Sequence, residues 1–180
     1  MDHIAGDLLE NVWPDMTCQE KDSIASQLRG VLVKLRSQRS DTGRIEACDG
    51  GPATDCGKIC EYLGGPFHNE ADFNDFLMDI VKTTPQPLRA ALRSKLRSDH
   101  ETVFTHGDLT QHNIIVRDGQ IVGLIDWEYS GWFREHWEYI KFFERFSKAK
   151  DWKDYAHKIF PKVYDDELVV YQALVRWQKP

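Results

Sequence analysis

The stretch FTHGDLTQHNIIVRDGQIVGLIDWE, Phe104 to Glu128, holds three aspartates, two histidines, an asparagine and a glutamate. They stand among Ile114, Ile115, Val116, Ile121, Val122, Leu124 and Ile125. Polar groups are costly to bury unless they are hydrogen-bonded, paired or bound to a metal. The stretch is therefore either a functional site or a heavily bonded structural knot.

Asp118-Gly119 is a turn dipeptide for a two-residue hairpin loop. With those residues in the turn, Arg117 is expected to pair with Gln120 and Asn113 to fall opposite Leu124. Asp126 then becomes a diagonal neighbour on the face that carries Asn113, about 7–8 Å away at the backbone. An amide oxygen and a carboxylate so arranged suit a hard cation, most naturally Mg2+. Asp108 precedes Asn113 by five positions and follows Gly107, which permits a sharp turn or a close approach. A carboxylate there can act as general base toward a hydroxyl. D-x-x-x-x-N with a second Asp after a hairpin has the logic of the phosphoryl-transfer template. The competing expectation has Asp108 capping a turn, with Asn113 and Asp126 satisfying backbone groups.

Neighbouring residues leave alternatives open. Alternation puts His112 on the strand face opposite Asn113. Glu128 can hold a cationic substrate or pair with an arginine. Trp127, Trp132 and Trp137 can wall a pocket for an amine or a flat natural product, or they can be core.

Outward from the hairpin, Thr17 to Gln38 reads as a long helix. Thr17 and Glu20 match a capping box, and Ile24, Leu28, Val31, Leu32 and Leu35 form one apolar stripe. Ser40 to Gly65 reads as loop with short extended pieces such as Lys58 to Leu63. Glu70 to Val81 is a second helix, and Leu88, Leu92 and Leu96 mark a third. Aromatic-rich segments Trp132 to Phe146, Trp152 to Phe160 and Glu167 to Trp177 are expected as further helices. The fold class expected is α+β, mainly helical, with a small central β-hairpin, in one domain over 1–180.

The net charge of −6, without a Lys/Arg run, argues against a nucleic-acid or anionic-membrane surface. No apolar run nears the ~18 residues of a membrane helix, and the acidic N-terminus lacks a signal-peptide pattern. A cytoplasmic protein is expected. Cys18, Cys48, Cys56 and Cys60 lack zinc-finger spacing; a Cys48–Cys56 or Cys56–Cys60 disulfide stays open, but a cytosolic setting favours free thiols acting as small buried hydrophobes.

HGDLTQHNIIV followed by GLIDWE closely resembles the C-terminal lobe of the aminoglycoside phosphotransferase and choline kinase superfamily, with its protein-kinase-like fold. MDHIAG is similar to the segment just after that fold's hinge. ACDGGPATD, GGPFHNEADFNDFL and IDWEYSGWFREHWEY are similar to its fungal branch. The resemblance implies Asp108 as catalytic base, Asn113 and Asp126 as Mg2+ ligands, and His106 bracing the catalytic loop. Arg134 stands where that branch has Pro.

The sequence contains no G-x-G-x-x-G and no G-x-x-x-x-G-K-[ST], and Lys34 in VLVKL falls in a helical pattern. The expectation is a base-and-metal lobe without the N-terminal ATP lid. ATP binding is then expected to be weak, and a homodimer or partner protein to cover the face that carries Asp108. Three functions stay open. One is a phosphotransferase-type lobe acting on a small molecule, with Glu128 and Trp127 as substrate contacts. Another is an ATP-independent cyclase, isomerase, dehydratase or hydrolase using the same acidic pocket, in secondary metabolism. The third is a non-catalytic binding or scaffold module.

Overall fold

The computed structural model describes residues 4–56, 61–80 and 84–177. A short helix α1 (Leu9–Val12) runs into a 3-10 turn at Trp13–Asp15 and then into the long helix α2 (Cys18–Arg36). The capping box forms: Thr17 Oγ1 accepts from the Glu20 N–H, and the Glu20 carboxylate accepts from the Thr17 N–H. Ile24, Ala25, Leu28 and Leu32 are buried along one side of α2. They pack with Leu9, Trp13, Ile114, Phe142 and Trp152 in the main core. Each such aliphatic side chain contributes about 1.5–3 kcal/mol when taken out of water.

Helix α3 (Glu70–Ile80) matches its predicted apolar side, with Phe73 and Leu77 buried; its expected last residue, Val81, lies outside the described residues. Helix α4 (Gln86–Lys95) follows, and the C-terminal part holds α5 (Trp137–Glu144), α6 (Ala156–Ile159) and α7 (Asp165–Arg176). The α+β, mainly helical class expected from the sequence is the class observed. No described helix is long and apolar enough to cross a membrane.

Among the described residues, eight short strands form three antiparallel sheets. They are β1 (Asp7–Leu8), β2 (Glu46–Ala47), β3 (Ala53–Cys56), β4 (Glu61–Gly64), β5 (Thr102–Thr105), β6 (Ile114–Arg117), β7 (Gln120–Leu124) and β8 (Gly131–Arg134). The orders are β1-β6-β7, β2-β8-β5 and β3-β4. The expected extended piece from Lys58 to Leu63 falls partly outside the described residues and partly in β4.

Several expectations need correction. Gly131 to Arg134 is a strand, although Trp132 to Phe146 reads as helix. Its backbone is used by β5 on one side and β2 on the other, with Phe104 opposite Trp132 and Ala47 opposite Gly131. Gly131 fits this position because a Cβ there would lie 2.5 Å from the Glu46 carbonyl oxygen. Cys18 and Cys48 are free but exposed, so neither is a buried hydrophobe. Cys18 is the first residue of α2. Cys60 lies outside the described residues.

Candidate active site

The central hairpin turns at Asp118 and Gly119, both in the left-handed region (φ 51° and 72°), and Arg117 pairs with Gln120 as expected. The register then shifts. A bulge leaves Val122 unpaired, so Ile114 rather than Asn113 faces Leu124. Counting one residue against one across the turn misses that extra residue. Asn113 instead meets Ile125, whose N–H donates to the Asn113 carbonyl at 2.9 Å.

Ile125 is held from both sides. Its carbonyl accepts from His106 Nε2 at 3.0 Å. The next residue, Asp126, leaves the strand with φ 61° and is exposed. That conformation is unusual for a residue with a Cβ and tolerated by Asp. The chain thus presents Asp126 immediately beside the 106–113 loop, through a turn and not through strand alternation.

The loop itself follows β5. Gly107 has φ 82°, and a Cβ there would stand 2.5 Å from the Tyr129 carbonyl oxygen, so only glycine fits. His106 is fully buried. Its Nδ1 accepts from the Asp108 N–H at 3.2 Å, which leaves the proton on Nε2 for Ile125. The Trp127 ring packs against the His106 ring, with centroids 4.5 Å apart. The backbone N–H groups of His106 and Gly107 donate to the Glu138 carboxylate at 2.6 and 3.2 Å. Glu138 lies within α5 and is buried, and burial pushes its carboxyl above the usual range.

Asp108 is 7% exposed. Asn113 Nδ2 donates to both its carbonyl and its Oδ2, each at 3.0 Å. Arg145 Nε lies 3.2 Å from Asp108 Oδ1 but is too poorly aligned to count as a hydrogen-bond donor to it. The same guanidinium donates to the Gly107 carbonyl. Lys153 also feels the Asp108 charge; burial lowers its ammonium to about 8 despite that attraction. His112 lies in the 3-10 turn Gln111–Asn113 and not in a strand, so alternation does not govern it. Its Nε2 stands 3.8 Å from Asp108 Oδ2, on the same side as the carboxylate and half-exposed.

With Asn113 Nδ2 directed at Asp108, the Asn113 amide oxygen and the Asp126 carboxylate are the two hard oxygen donors of this turn. That donor set fits Mg2+. Trp127 and Glu128 are exposed and line an open groove of about 370 Å3 together with Cys48, Asp49 and Ser130. Glu128 makes no ion pair among the described residues. Trp137 is a core residue, 2% exposed and stacked on Phe133. Arg134, where Pro was expected, is a buried strand residue whose Nη1 donates to the His100 carbonyl and Thr102 Oγ1.

Sequence reasoning did not find Glu138, Arg145 or Lys153. Glu138 had a signal: a carboxylate inside the aromatic run WEYIKFFE is as costly as those of the central stretch. Arg145 and Lys153 carried none, because only the fold brings them to Asp108.

Comparison with known proteins bears on the family and the fold. The family model described as "Phosphotransferase enzyme family" matches residues 3–151. No curated protein matches the sequence. Solved structures that resemble the chain include ADP-bound aminoglycoside phosphotransferase APH(2'')-Ib, with TM-score 0.59 and 14% identity over 98% of this chain and 58% of that one. The streptomycin–ATP–APH(2")-IIa ternary complex gives TM-score 0.54 and 17% identity over 94% and 54%. The gentamicin–APH(2")-IIa complex gives TM-score 0.54 and 16% identity over 98% and 56%. At these identities the likeness is one of fold, and the chain spans little more than half the length of those proteins. With residues 3–151 matched by its model, this chain belongs to the phosphotransferase enzyme family.

Proposed function

We propose that this chain carries the base-and-metal half of a Mg2+-dependent phosphotransferase site for a small-molecule hydroxyl. The observation that carries the reading is the double clamp on Ile125, by His106 Nε2 and the Asn113 carbonyl, beside an Asp108 held by Asn113 Nδ2. Base, amide and second carboxylate are thereby tied to one loop.

In the proposed reaction the acceptor oxygen forms a bond to the γ-phosphorus of a nucleoside triphosphate, and the bond to the bridging oxygen breaks. Asp108 takes the hydroxyl proton. His106 positions the Asp108 backbone and takes no proton, since both ring nitrogens are engaged. Asn113 and Asp126 would hold Mg2+, which supplies charge neutralisation on the phosphate oxygens.

Asp49, Glu128 and the Trp127 face around one groove favour an acceptor bearing an amine. Streptomycin and gentamicin, named in the neighbouring complexes, are acceptable probes of that class. Free, exposed Cys18 and Cys48 favour a reducing, cytoplasmic setting.

One observation favours a second reading: His112 beside Asp108 makes an accessible acid–base pair without a nucleotide. The two readings part on incubation with labelled ATP, Mg2+ and amine-bearing acceptors. Transfer that stops with EDTA and in Asp108→Asn supports the phosphotransferase. Turnover that survives EDTA and omission of ATP, but falls in His112→Ala, supports the other.

A further inference from the structure

A second cluster of ionisable groups lies apart from Asp108. Glu70 opens α3, His100 precedes β5, and His136 immediately precedes α5; they are 2%, 6% and 8% exposed. Glu70 Oε1 is 2.7 Å from His100 Nδ1 and 3.8 Å from His136 Nδ1. One ligand atom from each of the three lies within 4.8 Å of the others. His136 Nδ1 is buried with no hydrogen-bond partner among the described residues, and it faces this cluster. A cavity of about 20 Å3 borders all three, which is room for one water.

We propose that Glu70, His100 and His136 form a transition-metal site, suited to Zn2+, that ties α3, the approach to β5 and α5 together. Two imidazole nitrogens and one carboxylate are a borderline donor set that suits zinc and not Mg2+ or Ca2+, which take oxygen. Tetrahedral zinc with bonds of about 2.0–2.1 Å sets its ligand atoms roughly 3.3 Å apart. Two of the three separations, 2.7 and 3.8 Å, straddle that value and the third is within 4.8 Å, so side-chain adjustment is needed to close the site on a metal. A water in the cavity takes the fourth position.

His100 is already braced for this role. Its Nε2 stands 3.1 Å from Glu167 Oε1, the carboxylate–histidine arrangement that orients metal-bound imidazoles. A proton competes for the same place. Burial disfavours a charged His100, but Glu70 and Glu167 together raise its pKa, while burial first and the His100 charge second push His136 well down. A metal would replace the shared proton and give His136 Nδ1 the partner it lacks. Arg134, bonded to the His100 carbonyl, and Arg97, 3.6 Å from Glu167, oppose a cation and weaken its binding.

The site also has a route to the loop. His136 stands two residues before Glu138, which holds the His106 and Gly107 amides. Loading the metal therefore fixes the start of the helix that anchors Asp108's loop.

The test uses the tag-free, metal-stripped chain in excess Mg2+, titrated with Zn2+ against a chromophoric chelator at pH 7.5. One equivalent should bind at micromolar Kd or tighter, and Co2+ should give visible bands of tetrahedral intensity. His136→Gln should lower affinity about 100-fold and Glu167→Gln about 10–100-fold, with circular dichroism unchanged. His157→Ala, at an exposed site, should bind as wild type. The Co2+ spectrum of the wild-type chain reads the site even where a variant fails to fold. Absence of stoichiometric uptake by wild type, or uptake equal in wild type, His100→Gln and His136→Gln, overturns the proposal. Loss of phosphoryl transfer alone would leave this site untouched, so the two proposals fail separately.

Discussion

Asn113→Ala isolates the residue to which two duties fall. Its Nδ2 donates to the Asp108 carbonyl and to the Asp108 carboxylate, and in the proposed site its oxygen binds the cation. A hydrogen bond to a carbonyl is worth about 0.5–1.5 kcal/mol net, and one to a charged group about 1.5–3. Truncation should therefore cost roughly 2–4 kcal/mol, which a domain with about 5–15 kcal/mol of stability survives folded. Magnesium supplies the second readout. A ligand at ten times its Kd stabilises by about 1.4 kcal/mol. Urea unfolding followed by tryptophan fluorescence, in EDTA and in 10 mM Mg2+, gives both numbers. Wild type should gain stability with Mg2+, and Asn113→Ala should lose the 2–4 kcal/mol and gain nothing from the metal. A loss below about 0.5 kcal/mol would refute the energetic reasoning. An equal Mg2+ gain in both proteins would remove Asn113 as a ligand.

Lys153 is partly buried and desolvation lowers its ammonium from 10.5 to about 8, a shift worth roughly 3 kcal/mol against the charged form. A lysine depressed in the fold destabilises progressively as pH falls from the unfolded value through the folded one. Lys153→Met should therefore be the more stable protein at pH 7, with the gap closing by pH 10.5 in thermal melts. His100 runs the other way. Its raised pKa gives stability that is full below about 6.5 and lost as pH rises through the folded value. In EDTA, Tm should fall across that window in wild type and less in His100→Gln. The isolated 180-residue chain should bind ATP–Mg2+ only at millimolar Kd, about −4 kcal/mol, by calorimetry; micromolar binding would contradict this.

Much of the site was legible because its residues are local. Asp108, Asn113 and Asp126 lie within nineteen positions of sequence, and Asp118-Gly119 announces its turn without help from the rest of the chain. Thr17 and Glu20 cap α2 for the same reason. The misreadings have physical causes. The bulge at Val122 and the left-handed Asp126 break the period of two on which register arguments rest. The 3-10 turn at Gln111–Asn113 breaks it again and brings His112 toward Asp108. β8 is a strand because β2 and β5, distant in sequence, pair with it, and its aromatics alone do not distinguish strand from helix. Arg145 and Lys153 reach Asp108 from 37 and 45 positions away, by packing that no local pattern encodes.

The central claim is that Asp108 activates an acceptor hydroxyl for phosphoryl transfer. The most direct measurement is transfer of label from γ-labelled ATP to amine-bearing acceptors, streptomycin and gentamicin included, by wild type and Asp108→Asn in Mg2+. With ATP above its millimolar Kd, the account predicts labelled acceptor with wild type, and a fall of about 10²–10⁴-fold in Asp108→Asn, the contribution of a positioned base. Transfer that proceeds at the wild-type rate in Asp108→Asn, or acceptor turnover that needs no nucleotide, would contradict it.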